Sequence, residues 1–134
     1  MIQIIREYDP KIPRVPCSET GMEQVVLNLL KNSSQAMATI KTKRFRPTIT
    51  IKTGMDGQYV YIKLSDNGPG IEKNIQKRIF EPFYSTKESG LGTGLGLSVT
   101  NHIITVIHRG QISVESDVGK GATFTINLPI KRSK

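Results

Sequence analysis

A two-layer α/β (α+β) sandwich is the fold class that this sequence predicts: a mixed, mostly antiparallel five-stranded sheet covered on one face by about three helices. Three observations carry the prediction. One segment after residue 20 repeats apolar residues at helical spacing. Two further segments, 48–65 and 110–128, each read as a pair of alternating strands around a glycine-bearing turn. The strands alternate apolar and polar residues rather than running continuously apolar, so one face of the sheet is less buried than the other.

In chain order, residues 2–8 alternate weakly and end at Asp9-Pro10, which predicts a strand and a turn. Pro13 and Pro16 keep 11–18 extended or irregular. Thr20-Gly21-Met22-Glu23 has the spacing of a capping box. It opens an amphipathic helix on Val25, Val26, Leu29, Leu30, Ala36, Met37 and Ile40, closed by Lys41 to Arg46 and Pro47. Ile49 and Ile51 alternate with Thr48, Thr50 and Lys52, and the turn Gly54-Met55-Asp56-Gly57 leads to a second strand, Tyr59 to Ser65. Asp66-Asn67-Gly68-Pro69-Gly70 breaks the chain. A short helix follows over 71–80, a loop over 81–96 and a helix over 97–108. Gly110 to Ser116 and Ala122 to Leu128 form the second hairpin around Asp117 to Gly121. No repeat or low-complexity linker interrupts the chain, and the whole of 1–134 reads as a single domain.

Composition narrows the function classes. The net charge is +8, but the basic residues are dispersed, and the one dense cluster, Lys41 to Arg46, is short and follows a helix. That pattern argues against nucleic acid as the partner and leaves nucleotide polyphosphate or an acidic protein. No apolar run reaches the ~18 residues of a membrane span, and the N-terminus lacks the pattern of a signal peptide. Cys17 is the only cysteine, so no internal disulfide is expected and a reducing, cytoplasmic setting fits. One cysteine and two histidines offer no zinc-ligand spacing.

The most specific segment is Ser85 to Leu97, with glycines at 90, 92, 94 and 96 and Lys87 ahead of them. Glycine at that density suits backbone that turns sharply and brings its N–H groups close to a ligand. The following helix adds its positive end, which points to an anion such as phosphate. The segment is neither a P-loop nor a complete dinucleotide fingerprint, because Leu95 stands where the third glycine would fall. On the first long helix, Gln24, Asn28 and Asn32 share one face at i, i+4 and i+8. That stripe is compatible with a solvent-facing polar surface or with a carbonyl oxygen held for a hard cation such as Mg2+. Asp66 likewise admits two readings: a plain turn residue, or a carboxylate that accepts a hydrogen bond from an exocyclic amine while the neighbouring glycines let a flat base lie on the backbone.

Taken in order, four segments carry a family resemblance. Glu23 to Asn32 resembles the N box of sensor histidine kinases. Asp66-Asn67-Gly68-Pro69-Gly70 is similar to their first glycine box, Phe80 to Lys87 to their F box, and Gly92 to Leu97 to their second glycine box. The closing stretch, Gly110 to Ser116 and Gly119 to Pro129, is similar to the family's last hairpin. The resemblance covers nearly the whole chain and implies the Bergerat fold of the histidine kinase catalytic ATP-binding domain. It implies a protein-histidine kinase activity that takes Mg2+ and ATP and donates the γ-phosphoryl group to a histidine in two-component signalling. Asn32 would hold Mg2+, and Asn28 would line the phosphates. Asp66 would bind the adenine amine against Gly68, Gly70 and Ile71. Phe80 and Phe83 would anchor the lid, Lys87 would approach the polyphosphate, and Gly92, Gly94 and Gly96 would let the lid close. Thr93, Leu95, Leu97 and Thr123 complete the implied nucleotide contacts. Asn28, Asn32 and Lys87 are the implied catalytic set.

The sequence departs from the family in places. Ser33 replaces the usual alanine, Gln35 stands where some members carry a basic residue, and Ile107-His108-Arg109-Gly110 replaces a His-Gly-Gly ending, which places Arg109 in a tight turn. Neither His102 nor His108 has the setting of a phosphoacceptor, and each reads as structural. The expectation is therefore a catalytic domain separated from its histidine-bearing dimerisation domain, monomeric by itself, cytoplasmic or the cytoplasmic part of a membrane-anchored sensor, with a response regulator downstream. A dimer-gated ATPase of the same fold and an anti-sigma-type serine kinase are the alternatives. Against the first, an amide stands at Asn28 where hydrolytic relatives carry a glutamate base.

Overall fold

The computed structural model describes residues 1–81 and 96–130. Its strands are β1 (Gln3–Glu7), β2 (Thr48–Asp56), β3 (Tyr59–Asp66), β4 (Gln111–Ser116) and β5 (Ala122–Pro129), and its helices α1 (Glu19–Met37), α2 (Lys73–Gln76) and α3 (Gly96–His102), the last running into a π-helical turn at Ile103–Ile107. The strands form one five-stranded sheet in the order β1-β2-β3-β5-β4. β1 pairs parallel with β2, and the other three pairings are antiparallel. The mixed sandwich expected from the alternating strands is the fold observed.

Parity along the strands sets which face the helices cover. Leu64, Ala122, Phe124, Ile126 and Leu128 are buried in one cluster with Val25 and Leu29 of α1 and Ile104, and Val60 is buried on the same side of the sheet. Each of the valine, leucine, isoleucine and phenylalanine side chains contributes about 1.5–3 kcal/mol when fully buried. The buried residues of α1 are Val25, Leu29, Ser33 and Met37, one stripe at i+4 spacing. β1 is exposed along its whole length, as an edge strand held by main-chain pairing on one side only.

Three local expectations are corrected, and the helix expected over 97–108 is observed with a change of type along it. The cap of α1 is Ser18, whose hydroxyl accepts the Gly21 N–H at 3.0 Å, and not Thr20. The reason is distant: the Ser18 N–H is itself taken by Nε2 of His108 at 2.9 Å, and Nδ1 of His108 lies 2.8 Å from the Ile103 carbonyl. His108 is thus a buried strut between the start of α1 and the π turn, as its structural reading expected, whereas His102 is exposed. Gly54 lies within β2 opposite Tyr61, and the tight turn is Gly57-Gln58 alone. There the Tyr61 ring occupies the space a Cβ at residue 54 would need, so the strand continues past the glycine. The helix expected over 71–80 shrinks to Lys73–Gln76. The one expected over 97–108 divides into α and π segments, with Gly110 N–H bonded to the Ile104 carbonyl at 2.8 Å.

Arg109 adopts φ 55°, the left-handed region that its replacement of a glycine foreshadowed. That conformation costs a non-glycine residue about 1–2 kcal/mol, part of which glycine returns through a more flexible unfolded chain. Arg109→Gly is therefore expected to raise stability by about 0.5–1 kcal/mol, read as a shift in the urea midpoint at unchanged slope.

Candidate functional site

Asp66 ends β3 on the helix-covered face, because it shares strand parity with Leu64 and Ile62. Across the sheet it stands in one row with Ile49 of β2, Ala122 of β5 and Ser116 of β4. The strand stops there because Asn67-Gly68-Pro69-Gly70 cannot continue a ladder. The Asp66 carboxylate accepts the Gly68 N–H through Oδ1 at 2.9 Å, and among the described residues its other oxygen takes no bond. A carboxylate half-satisfied by its own turn and aimed at the helix layer is an acceptor for one further N–H donor. The plain-turn reading thus accounts for one oxygen only.

The wall beside Asp66 is close-fitted backbone. A Cβ on Gly68 would sit 2.9 Å from Asp66 Oδ1 and 3.1 Å from Met37 Cγ, so this glycine makes room for the carboxylate and for the end of α1. Gly70, at φ 80°, lies against the Asp117 carbonyl, and Gly121, at φ 81°, against the Asp66 carbonyl; a side chain at either would overlap main chain. Asn67 braces the other side. Its Oδ1 accepts the Thr48 N–H and its Nδ2 donates to the Arg46 carbonyl, both at 2.8 Å.

On α1 the polar stripe does not simply face solvent. Asn28 is half-buried and donates through Nδ2 to the Gly96 carbonyl at 3.1 Å and to the Thr100 hydroxyl at 3.2 Å, while its Oδ1 accepts from Gln24 Nε2 at 3.0 Å. Thr100, fully buried, also donates to Gly96 O at 2.9 Å. The stripe therefore clasps the first turn of α3. Asn32 is half-buried one turn further along α1, toward the Asp66 end, since Met37 of the same helix reaches Gly68. Phe80 packs edge-on to Phe124 of the core, centroids 6.3 Å apart at 83°, which seats the chain just before residue 82.

Of the residues singled out by sequence, Asp66, Gly68, Gly70 and Ile71 are gathered into one wall, and Asn28 is joined to Gly96. Leu97 packs against the core. Among the described residues no atom lies within 4 Å of a Cβ placed on Gly96. Thr123 is corrected. Alternation turns it to the face opposite Asp66, where its hydroxyl lies 2.9 Å from that of Ser65, and Ala122 takes the place beside the carboxylate. Phe83, Lys87, Gly92, Thr93, Gly94 and Leu95 lie outside the described residues. Sequence reasoning passed over Ser116 and Thr100, although each is a polar residue at a position whose strand or helix periodicity asks for an apolar one. Two surface grooves, one along Cys17, Met22, Val26, Leu27 and Leu30 and one beneath Met37, Ile40 and Phe45, contain neither Asp66 nor Asn28.

A mixed sandwich with a carboxylate at a strand end, a glycine-built wall and an asparagine-bearing helix is the architecture of an ATPase family. The chain belongs to the histidine kinase-, DNA gyrase B-, and HSP90-like ATPase family, whose description matches residues 17–132. It is 42% identical over 132 residues to sporulation kinase E of Bacillus subtilis (strain 168), covering 98% of this chain and 17% of that protein. It is 41% identical over 131 residues to the signal transduction histidine-protein kinase AtoS of Escherichia coli (strain K12), covering 96% and 20%. The chain thus spans about a fifth of the length of these relatives. The nucleotide-free catalytic domain of the histidine kinase ThkA superposes with a TM-score of 0.81 at 30% identity, covering 98% of this chain and 82% of that one. Full-length ShkA in complex with AMPPNP gives 0.81 at 25%, covering 98% and 26%. Among the described residues no helix is long and apolar enough to cross a membrane.

Proposed function

We propose that this chain is the single catalytic ATP-binding domain of a histidine kinase, binding Mg-ATP and donating its γ-phosphoryl group to a histidine on a separate dimerisation domain, with a response regulator receiving the phosphoryl group downstream. The observation that carries the reading is the Asp66 carboxylate, one oxygen committed to its turn and the other without a partner among the described residues, on the helix-covered side and beside glycines whose Cβ positions neighbouring atoms occupy. That oxygen would accept from the exocyclic amine of adenine, while Gly68 to Ile71 would lie along the base.

Asn32 would hold Mg2+ through its carboxamide oxygen. The donor type suits that ion: a carboxamide oxygen is a neutral hard ligand, and magnesium favours few protein oxygens together with water and phosphate. Bound there, the ion would supply charge neutralisation to the phosphates. Lys87 would add a point charge. Asn28 would line the phosphate side while keeping its clasp on Gly96. A carboxamide cannot take a proton from water, so hydrolysis without an acceptor histidine would be slow.

The test is direct. The purified chain, a separately made histidine-bearing dimerisation domain and γ-labelled ATP are mixed, and label on the second protein is followed. Transfer is expected only with magnesium, against an ATPase turnover of the chain alone below about 1 s⁻¹, the low end of ordinary enzyme rates. Fast hydrolysis with no transfer would replace this reading with a dimer-gated ATPase, and transfer to serine would replace it with a serine kinase.

A further inference from the structure

We propose that Ser116 is a positioning residue for purine recognition, acting through the main chain of the Asp66–Ile71 wall. The proposal rests on the nucleotide reading above and adds to it a residue that touches neither base nor phosphate. Ser116 closes β4 on the same parity as Ile112 and Val114, and is buried among their neighbours. An apolar side chain would suit that position on packing grounds alone. Instead the hydroxyl makes two bonds at once. It accepts the Ile71 N–H at 2.8 Å and donates to the Gly121 carbonyl at 2.6 Å.

Those two partners are the two backs of the site. Ile71 is the residue at which the wall leaves Gly70. Gly121 is the residue whose Cα abuts the Asp66 carbonyl. One side chain thereby sets the spacing between the turn carrying the carboxylate and the strand behind it. The same junction is reinforced by main chain: the Ser116 carbonyl accepts from Lys73 Nζ and Gln76 Nε2, each at 2.9 Å, Gln76 also donates to Ile71 O at 2.7 Å, and Gly119 N–H donates to Pro69 O at 2.7 Å. The ion pair of Lys73 with Asp117, 3.4 Å apart and mostly exposed, adds little by comparison. Among the described residues at this junction, the Ser116 hydroxyl is the buried side-chain group that bonds both the wall, at Ile71, and Gly121, the residue just before β5.

A carboxylate distinguishes an amine from a carbonyl on a purine only if it is held still relative to the plane of the base. Removing the hydroxyl leaves Ile71 N–H and Gly121 C=O to share the strain of a lost buried bond, and the wall loosens where Asp66 begins. Discrimination then falls before phosphate binding does.

The experiment is calorimetric titration of the chain, with magnesium, by ADP and by IDP, which differ in the exocyclic amine. Wild type is expected to prefer ADP. In Ser116→Ala the ADP affinity is expected to fall about five- to tenfold, the size of an ordinary hydrogen-bond loss, with IDP changed less than twofold, so that the preference ratio drops. Ser113→Ala, on the exposed face of the same strand, keeps the wild-type ratio. Should Ser116→Ala fail to fold, Ser116→Cys retains a weaker donor and acceptor at the same place, and an intermediate ratio is expected. A wild-type ratio in either folded Ser116 variant overturns the proposal, whatever the change in thermal stability. Loss of preference in Asp66→Asn with no change in Ser116→Ala defeats the positioning role alone. An unchanged ratio in Asp66→Asn defeats the nucleotide reading beneath it.

Discussion

Asp66→Asn is expected to lose adenine-nucleotide affinity by about 50- to 100-fold while the chain stays folded. An amide oxygen still accepts the Gly68 N–H that Oδ1 accepts at 2.9 Å, so the turn survives. The other position changes from acceptor to NH2 donor and meets the exocyclic amine donor to donor. A hydrogen bond to a charged group contributes about 1.5–3 kcal/mol, and the opposed donors remove that and more. IDP, whose carbonyl accepts where adenine donates, is expected to gain affinity in the same variant. Titration calorimetry with both nucleotides checks the result, and circular dichroism checks the fold. Equal losses for ADP and IDP would mean that Asp66 acts on phosphate or stability rather than on the base.

Gly121→Ala is expected to be strongly destabilising for a single added methyl, costing more than about 3 kcal/mol. Two penalties add. The residue sits at φ 81°, where an alanine costs about 1–2 kcal/mol, and its Cβ would overlap the Asp66 carbonyl, main chain that cannot step aside without unpairing β3 from β5. Gly57→Ala separates the two. It shares a positive φ of 62° but is exposed, with no described atom within 4 Å of its Cβ position, so the conformational cost of about 1 kcal/mol is the term it reports. Urea unfolding of the three proteins gives both terms. A Gly121→Ala midpoint no lower than that of Gly57→Ala would show that β5 shifts freely at Asp66, and the rigid wall would be lost as an argument for adenine recognition.

Much of this fold is legible in the amino-acid sequence. The apolar spacing of Val25 and Leu29, the alternation of Ile49 with its neighbours and the glycine-bearing turns determine α1 and both hairpins, because those signals are local: each residue's periodicity reports the face its own element must bury. Asp66 and the glycines after it are legible for the same reason as a break in the chain, a short segment whose residue types admit few backbone conformations, whereas the residues alone leave the carboxylate open between turn and acceptor.

What the tertiary structure alone decided are the contacts between segments far apart in the chain. Ser18 rather than Thr20 caps α1 because His108, ninety positions on, supplies an acceptor for its N–H. Thr123 turns away from the site because the register against β3 assigns Ala122 to the row of Asp66. Asn28 clasps Gly96, and Ser116 joins Ile71 to Gly121. A hydroxyl or carboxamide carries no sequence mark of the partner it will find. Its bond is chosen only when packing brings one specific main-chain group within 3 Å or so and excludes the water that would otherwise compete for it.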